Sequence, residues 1–138
     1  RDFAAGRVLA QCMADRLAAL PRPGAMVPIP LHRARLRHRG YDQALELARP
    51  LARALGIPLV DRALGRRTAT RAQSRLDADA RRRNLRDAFH VDAGIPLPPH
   101  VVLVDDVMTT GATLHAAAGV LHRAGVARVD AWVCARVA

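Results

Sequence analysis

"VVLVDDVMTTGATL", Val101 to Leu114, decides how this chain is read. Four consecutive apolar residues, Val101 to Val104, have the pattern of a strand buried on both faces, as in a parallel sheet covered by helices. Two acids, Asp105 and Asp106, follow at once, and the strand is expected to end on them. Crowding two carboxylates there is costly unless something binds. The next residues, Met108-Thr109-Thr110-Gly111-Ala112-Thr113, supply a glycine for backbone freedom, threonine hydroxyls as donors and the free amides of a helix N-terminus. That is an anion cradle suited to phosphate. In an open α/β sheet, ligands sit beyond the carboxyl ends of the strands, so the acids hold a site position. Carboxylates repel a phosphate but accept hydrogen bonds from sugar hydroxyls and attract Mg²⁺, so a ribose 5-phosphate suits both halves. Taken singly, these acids and threonines are turn and helix caps; as one run after a buried strand they read as a ligand site.

The pattern extends outward in both directions. A helix is expected from about Ala112 to Ala124, stopped by Gly125, and "ARVDAWVCARV" closes the chain as a strand with Trp132 in the core. Before the opening run, "GIPLPPH" is a turn-rich linker. Near the start, Phe3, Val8, Leu9, Cys12, Met13, Leu17 and Leu20 recur at helical spacing and predict an amphipathic helix over Phe3 to Leu20. "PRPG" breaks it, and "AMVPIPL" follows as a short strand whose prolines confine it to an end or leave gaps in its ladder. A second helix is expected from Asp42 to Leu55, with Leu47, Leu51 and Leu55 on one face, a kink at Pro50 and Gly56 as its stop. Between Pro58 and Val91 the pattern gives a strand near Leu59, an Arg-rich loop, a short helix around Asp79 to Arg86 and a strand at Ala88 to Val91. Alternating strands and helices predict an α/β fold, a parallel sheet flanked by helices on both faces.

Composition bounds the functions. A chain of 138 residues is one domain, residues 1–138. No apolar run reaches the roughly 18 residues of a membrane helix, and the charged first residues do not form a signal peptide, which favours the cytoplasm. The chain opens on Arg1, which reads as a truncated start. Cys12 and Cys134, far apart and flanked by small or apolar residues, read as buried thiols rather than metal ligands or a disulfide. His115 and His122 read as helix-surface or packing residues. The net charge of +10 is uneven: +2 over residues 1–32, +10 over 33–86 and −2 over 87–138. The basic middle calls for an anionic partner, or is a solvated face written in arginine. With no lysine in the chain, a Walker-type phosphate lysine and a Schiff base are excluded. Ser74, the only serine, lacks the glycines of a nucleophile elbow.

The Val101–Thr113 stretch resembles the phosphoribosyl-pyrophosphate (PRPP) motif of type I phosphoribosyltransferases: apolar residues, two acids, two variable residues, then Thr-Thr-Gly-x-Thr. "VPIPLHRARLRHRGYDQALELARPLA" is similar to the signature of one branch, the ComF/GntX-like competence family. Arg67-Thr68, Gln73, Leu76, Arg81, Asn84 and Ala88-Phe89 follow that branch's middle pattern. Asp42 stands where asparagine is usual, and the four-cysteine zinc module that often precedes the domain is not in this sequence.

The resemblance implies a Rossmann-like type I core and a site. Asp105 and Asp106 would take the ribose hydroxyls, and Val107, Met108, Thr109, Thr110, Gly111, Ala112 and Thr113 would form the 5-phosphate loop. Leu31, His32, Arg33, Arg35, Arg37 and Arg39, in the loop after the first strand, would hold pyrophosphate, a role that suits guanidinium donors. The cofactor implied is Mg²⁺, carried mainly by the ligand and contacted by Asp105 and Asp106. The reaction implied transfers the phosphoribosyl group to an acceptor through positioning and stabilisation of the departing charge. No catalytic residue is assigned, Glu46 being a poor general base within a helix. The segment from Arg66 to Arg86 is either a loop that closes over the site or an exposed Arg-rich helix. The alternative is a non-catalytic competence factor that binds nucleotide or single-stranded DNA within the DNA-uptake machinery. Few aromatics are available for stacking bases, so DNA contact would be electrostatic. Partners are therefore PRPP or a nucleotide, single-stranded DNA or competence proteins, and a second copy as a homodimer, with no membrane insertion.

Overall fold

A computed structural model describes residues 3–30, 43–66, 88–108 and 110–136 of the chain. In chain order the elements are α1 (Phe3–Leu17), β1 (Ala25–Pro28), α2 (Gln43–Leu55), β2 (Leu64–Arg66), β3 (Phe89–Val91), β4 (His100–Met108), α3 (Ala112–Arg123) and β5 (Arg128–Arg136). β4 is the middle of a parallel sheet of order β1-β4-β5, and β2 and β3 form a separate antiparallel pair. The register sets Val27 beside Leu103 and Val104 beside Trp132. β1 is extended at its outer edge by one parallel bridge from Met26 to Leu59.

Strand alternation sorts the core into two layers. Ala25, Val27, Ile29, Val101 and Leu103 face α3, through Leu114, Ala117 and Leu121, and the β2–β3 pair, through Leu64 and Phe89. Met26, Val102, Val104 and Trp132 face α1 and α2, through Ala10, Ala14, Leu47, Ala48 and Leu51. Helices thus cover both faces, as the alternating pattern predicted. Val101 to Val104 are all at most 1% exposed, which explains why the run is continuously apolar.

The second helix runs through Pro50 and ends as expected, with Gly56 at φ 67°. Arg22 closes that end, donating to the carbonyls of Leu55 (2.8 Å) and Gly56. These are orphan acceptors of a helix C-terminus, and a guanidinium is a favourable cap there.

Four expectations are corrected. α1 ends at Leu17, and only part of its apolar set faces the core: Met13 and Leu17 pack against it, but Val8 and Leu9 are 65% and 41% exposed and Leu20 beyond the helix 49%. Ala10 and Ala14 are buried in their place, because α1 packs on α2, where small side chains let the two helices approach. Cys12 is exposed rather than buried, while Cys134 is half-buried and packs against the core; both thiols are free, as expected. β4 does not end at the aspartates but continues to Met108. Leu64–Arg66, read as loop, pairs antiparallel with Phe89–Val91, setting Arg66 opposite Phe89. The Asp79–Arg86 helix lies outside the described residues.

Candidate phosphate and sugar site

The acid pair sits on the central strand where the apolar run gives out, just past the end of β1 at Pro28 and toward the carboxyl end of β4. Asp105 follows the Val101–Leu103 row and Asp106 the Val102–Val104 row. Their carboxyls nonetheless interact. The Asp106 N–H donates to Asp105 Oδ1 at 2.9 Å, and the Val107 N–H donates to Asp106 Oδ1 at 2.9 Å. Burial pushes the Asp105 carboxyl up to about 7; the Asp106 carboxyl, by hydrogen bond and by charge, adds to the rise, and the Asp106 N–H and the Arg66 charge oppose it. Asp105 is therefore far more readily protonated than an ordinary carboxyl, and a cation or a hydrogen-bond donor would favour its ionised form.

Arg66 was not singled out in the sequence, being one of many arginines between 62 and 86. The structure brings it to the Asp105 side, its guanidinium 5.0 Å from the centroid of the buried Phe89 ring. A signal existed only in hindsight, since Arg66 closes a three-residue strand that pattern reading did not resolve.

The helix starts at Ala112, as expected. Gly111 is the N-cap at φ 81°, a left-handed conformation that a side chain resists, and it makes no side-chain cap bond of its own. The Ala112 N–H turns back to Thr110 Oγ1 at 3.2 Å, so this amide is satisfied within the loop. Thr113 is half-buried, Thr110 exposed, Val107 exposed and Met108 half-buried. Thr109 lies outside the described residues. So do Leu31, His32, Arg33, Arg35, Arg37 and Arg39; before them, the Ile29 N–H donates to the Val104 carbonyl at 2.9 Å.

Among the described residues no group of three or more His, Cys, Asp or Glu side chains could hold a metal ion. The Asp105–Asp106 pair fits Mg²⁺ in another way: this ion takes one or two protein carboxylates and completes its shell with substrate oxygens and water. Cys134, beside Asp106 on β5, has its thiol pushed up by burial and by the Asp106 charge. At the far end of the sheet His100, Arg128 and Asp130 form a cluster that sequence reading missed, with His100 Nε2 2.7 Å and Arg128 Nε 3.2 Å from Asp130 Oδ2. Burial opposes ionisation of Asp130, but the His100 and Arg128 contacts outweigh it and hold the carboxyl below its usual range.

Fold and site together define an α/β protein with an acid pair and a glycine-capped helix N-terminus at the carboxyl edge of a parallel sheet. The chain belongs to the phosphoribosyl transferase domain family, whose model matches residues 42–138. It is 40% identical over 125 residues to a DNA utilization protein, YhgH, of Salmonella typhi, covering 90% of this chain and 54% of that protein. It is 39% identical over 125 residues to competence protein F of Haemophilus influenzae, covering 89% and 55%. The chain thus spans about half the length of the relatives it matches. Among solved structures it is similar in fold to the glutamine PRPP amidotransferase of B. subtilis, with TM-score 0.67 and 20% identity over 96% of this chain and 26% of that one. It is also similar to the orotate phosphoribosyltransferase of Aeropyrum pernix, with TM-score 0.57 and 20% identity over 99% and 73%. No helix among the described residues is long and apolar enough to cross a membrane.

Proposed function

We propose that this chain binds PRPP at the carboxyl end of β4 and transfers its phosphoribosyl group to an acceptor, releasing pyrophosphate. The observation that carries the reading is the junction itself: a buried strand running into Asp105 and Asp106, then a helix started by Gly111 with no side-chain cap. In this reading Asp105 and Asp106 accept hydrogen bonds from the ribose hydroxyls. Val107 and Met108 carry the chain to Thr109, Thr110, Gly111, Ala112 and Thr113, which hold the 5-phosphate. Binding favours the ionised form of Asp105, which accepts through both oxygens and donates none. The arginines of 31–39 hold the pyrophosphate. Mg²⁺, bound through Asp105, Asp106 and PRPP oxygens, would neutralise charge on the departing pyrophosphate. Positioning and charge stabilisation supply the catalysis, and no residue is assigned as general base.

The test is thermal stability with PRPP, with and without Mg²⁺, for the native chain and for Asp105→Asn/Asp106→Asn. At a hundred times its dissociation constant a ligand adds about 2.7 kcal/mol, so a functional site gives a clear Mg²⁺-dependent rise that the double variant loses. No rise for the native chain would end the reading. A second reading is a role in DNA handling, with or without turnover. It is supported by the names of the relatives and by the positive charge concentrated in residues 33–86.

A further inference from the structure

At the end of the sheet away from the acid pair, the C-terminal half of α2 and the chain leaving it line an open groove of about 580 Å³. The lining is Arg49, Ala52, Arg53, Gly56, Ile57, Pro58 and Leu59. Its place follows from the backbone. The Met26 N–H donates to the Pro58 carbonyl at 2.8 Å and the Val60 N–H to the Met26 carbonyl at 2.9 Å, so the groove lies near the amino end of β1. Asp105 and Asp106 lie toward the carboxyl end of the parallel β4.

Three features make this groove an anion site. Arg49 and Arg53 are exposed and, among the described residues, their side chains have no hydrogen-bond or ion-pair partner. They stand four residues apart on one helix, about 6 Å along its axis, close enough to act on one ligand. No acid is part of the lining. The third feature removes an objection: a helix C-terminus carries negative partial charge and repels anions. Arg22 has already taken the carbonyls of Leu55 and Gly56, so that end of α2 is covered by a third cation.

The shape argues for an extended ligand. Small-molecule pockets enclose most of their ligand, whereas this is an open ledge with a floor of Ala52, Ile57 and Leu59. It has no aromatic side chain to stack a base, so recognition falls on phosphates alone. We propose that the Arg49–Arg53 ledge binds the phosphodiester backbone of single-stranded nucleic acid, without sequence preference, while the acid-pair site remains free. The inference rests on the DNA-handling reading and gives it a place on the molecule. An acidic peptide is the competing occupant.

The experiment is fluorescence anisotropy of a labelled single-stranded oligothymidylate across a salt series. The native chain, Arg49→Gln/Arg53→Gln and Asp105→Asn/Asp106→Asn are compared. Loss of two phosphate contacts lowers the slope of log affinity against log salt by about 1.4, at about 0.7 per contact. We expect that flattening, with at least a tenfold loss of affinity at low salt, in the arginine variant alone. That variant should keep the PRPP-dependent thermal shift, which shows that it is folded. Equal slopes for the native chain and the folded arginine variant would overturn the ledge and leave DNA binding to other arginines. No DNA binding by the native chain would overturn both the ledge and the DNA-handling reading, while the PRPP reading stands or falls on its own thermal shift. Binding of polyglutamate but not of DNA, lost in the arginine variant, would make the occupant a peptide and overturn the proposal.

Discussion

Replacing Asp105 by asparagine tests the electrostatics of the acid pair without any ligand. Burial and the Asp106 carboxyl raise the native Asp105 carboxyl from an ordinary 3.8 to about 7. In the unfolded chain the group loses its proton near the ordinary value. Between about pH 4 and 7 the unfolded chain has therefore released a proton that the folded one retains, and stability falls as pH rises through that window. Above it both states are ionised and the loss is complete. A shift of about three units corresponds to about 4 kcal/mol if fully felt. The carboxyl is only partly buried, and solvent screening reduces this to about 1–2 kcal/mol. Asparagine cannot ionise but keeps an oxygen able to accept from the Asp106 N–H, which stands 2.9 Å from Asp105 Oδ1. The stability of Asp105→Asn minus that of the native chain should grow by about 1 kcal/mol between pH 5 and pH 8, since part of the window lies below pH 5. Urea denaturation of both proteins across that range reads this directly. Groups common to both chains, such as the His100–Asp130 pair, cancel in the difference. A difference that is flat with pH, or that shrinks as pH rises, would show that Asp105 is not held protonated by burial and Asp106.

The same carboxyl should make ligand binding pH-dependent: if PRPP and Mg²⁺ need it ionised, calorimetric affinity falls by about tenfold from pH 8 to pH 6. Gly111→Ala should cost about 1–2 kcal/mol in thermal denaturation and weaken phosphate binding, because Gly111 is at φ 81°. Unchanged stability would mean that another backbone geometry is available to the loop. Leu51→Ala, at a fully buried position between α2 and the sheet, should cost about 2–5 kcal/mol, measured by denaturant midpoint. A thiol reagent should label Cys12 well before Cys134 in the folded protein, the order being read by peptide mapping.

Much of the architecture was legible because local rules and burial agreed. Val101 to Val104 could be read as a buried strand since nothing polar interrupts it, and the structure buries all four. Gly56 and Gly125 marked helix stops because both sit at positive φ, at 67° and 104°. The acid pair and the Gly111 helix start were visible for the same reason, each being written in contiguous residues. The readings that failed depended on neighbours distant in sequence. Helical spacing alone gave no means of telling that α1 would meet α2 through Ala10 and Ala14 and leave Val8 and Leu9 in solvent. Nor did the flanks of Cys12 show which side of that helix it would occupy.

Arg66 is the sharpest case. In sequence it is one of fifteen arginines between 33 and 86, and nothing nearby distinguishes it. Its role depends on β2 pairing with β3, which sets it opposite Phe89, and on Phe89 being buried against the layer that ends in Asp105. The groove of Arg49 and Arg53 likewise needed Arg22, 27 and 31 residues away, to cover the end of α2. Backbone preferences, burial of apolar runs and a contiguous ligand loop are short-range properties, so residue order was enough to write them. The protonation of Asp105, the choice of one arginine among many and the exposed face of α1 are set by long-range contact, where desolvation and charge act through space.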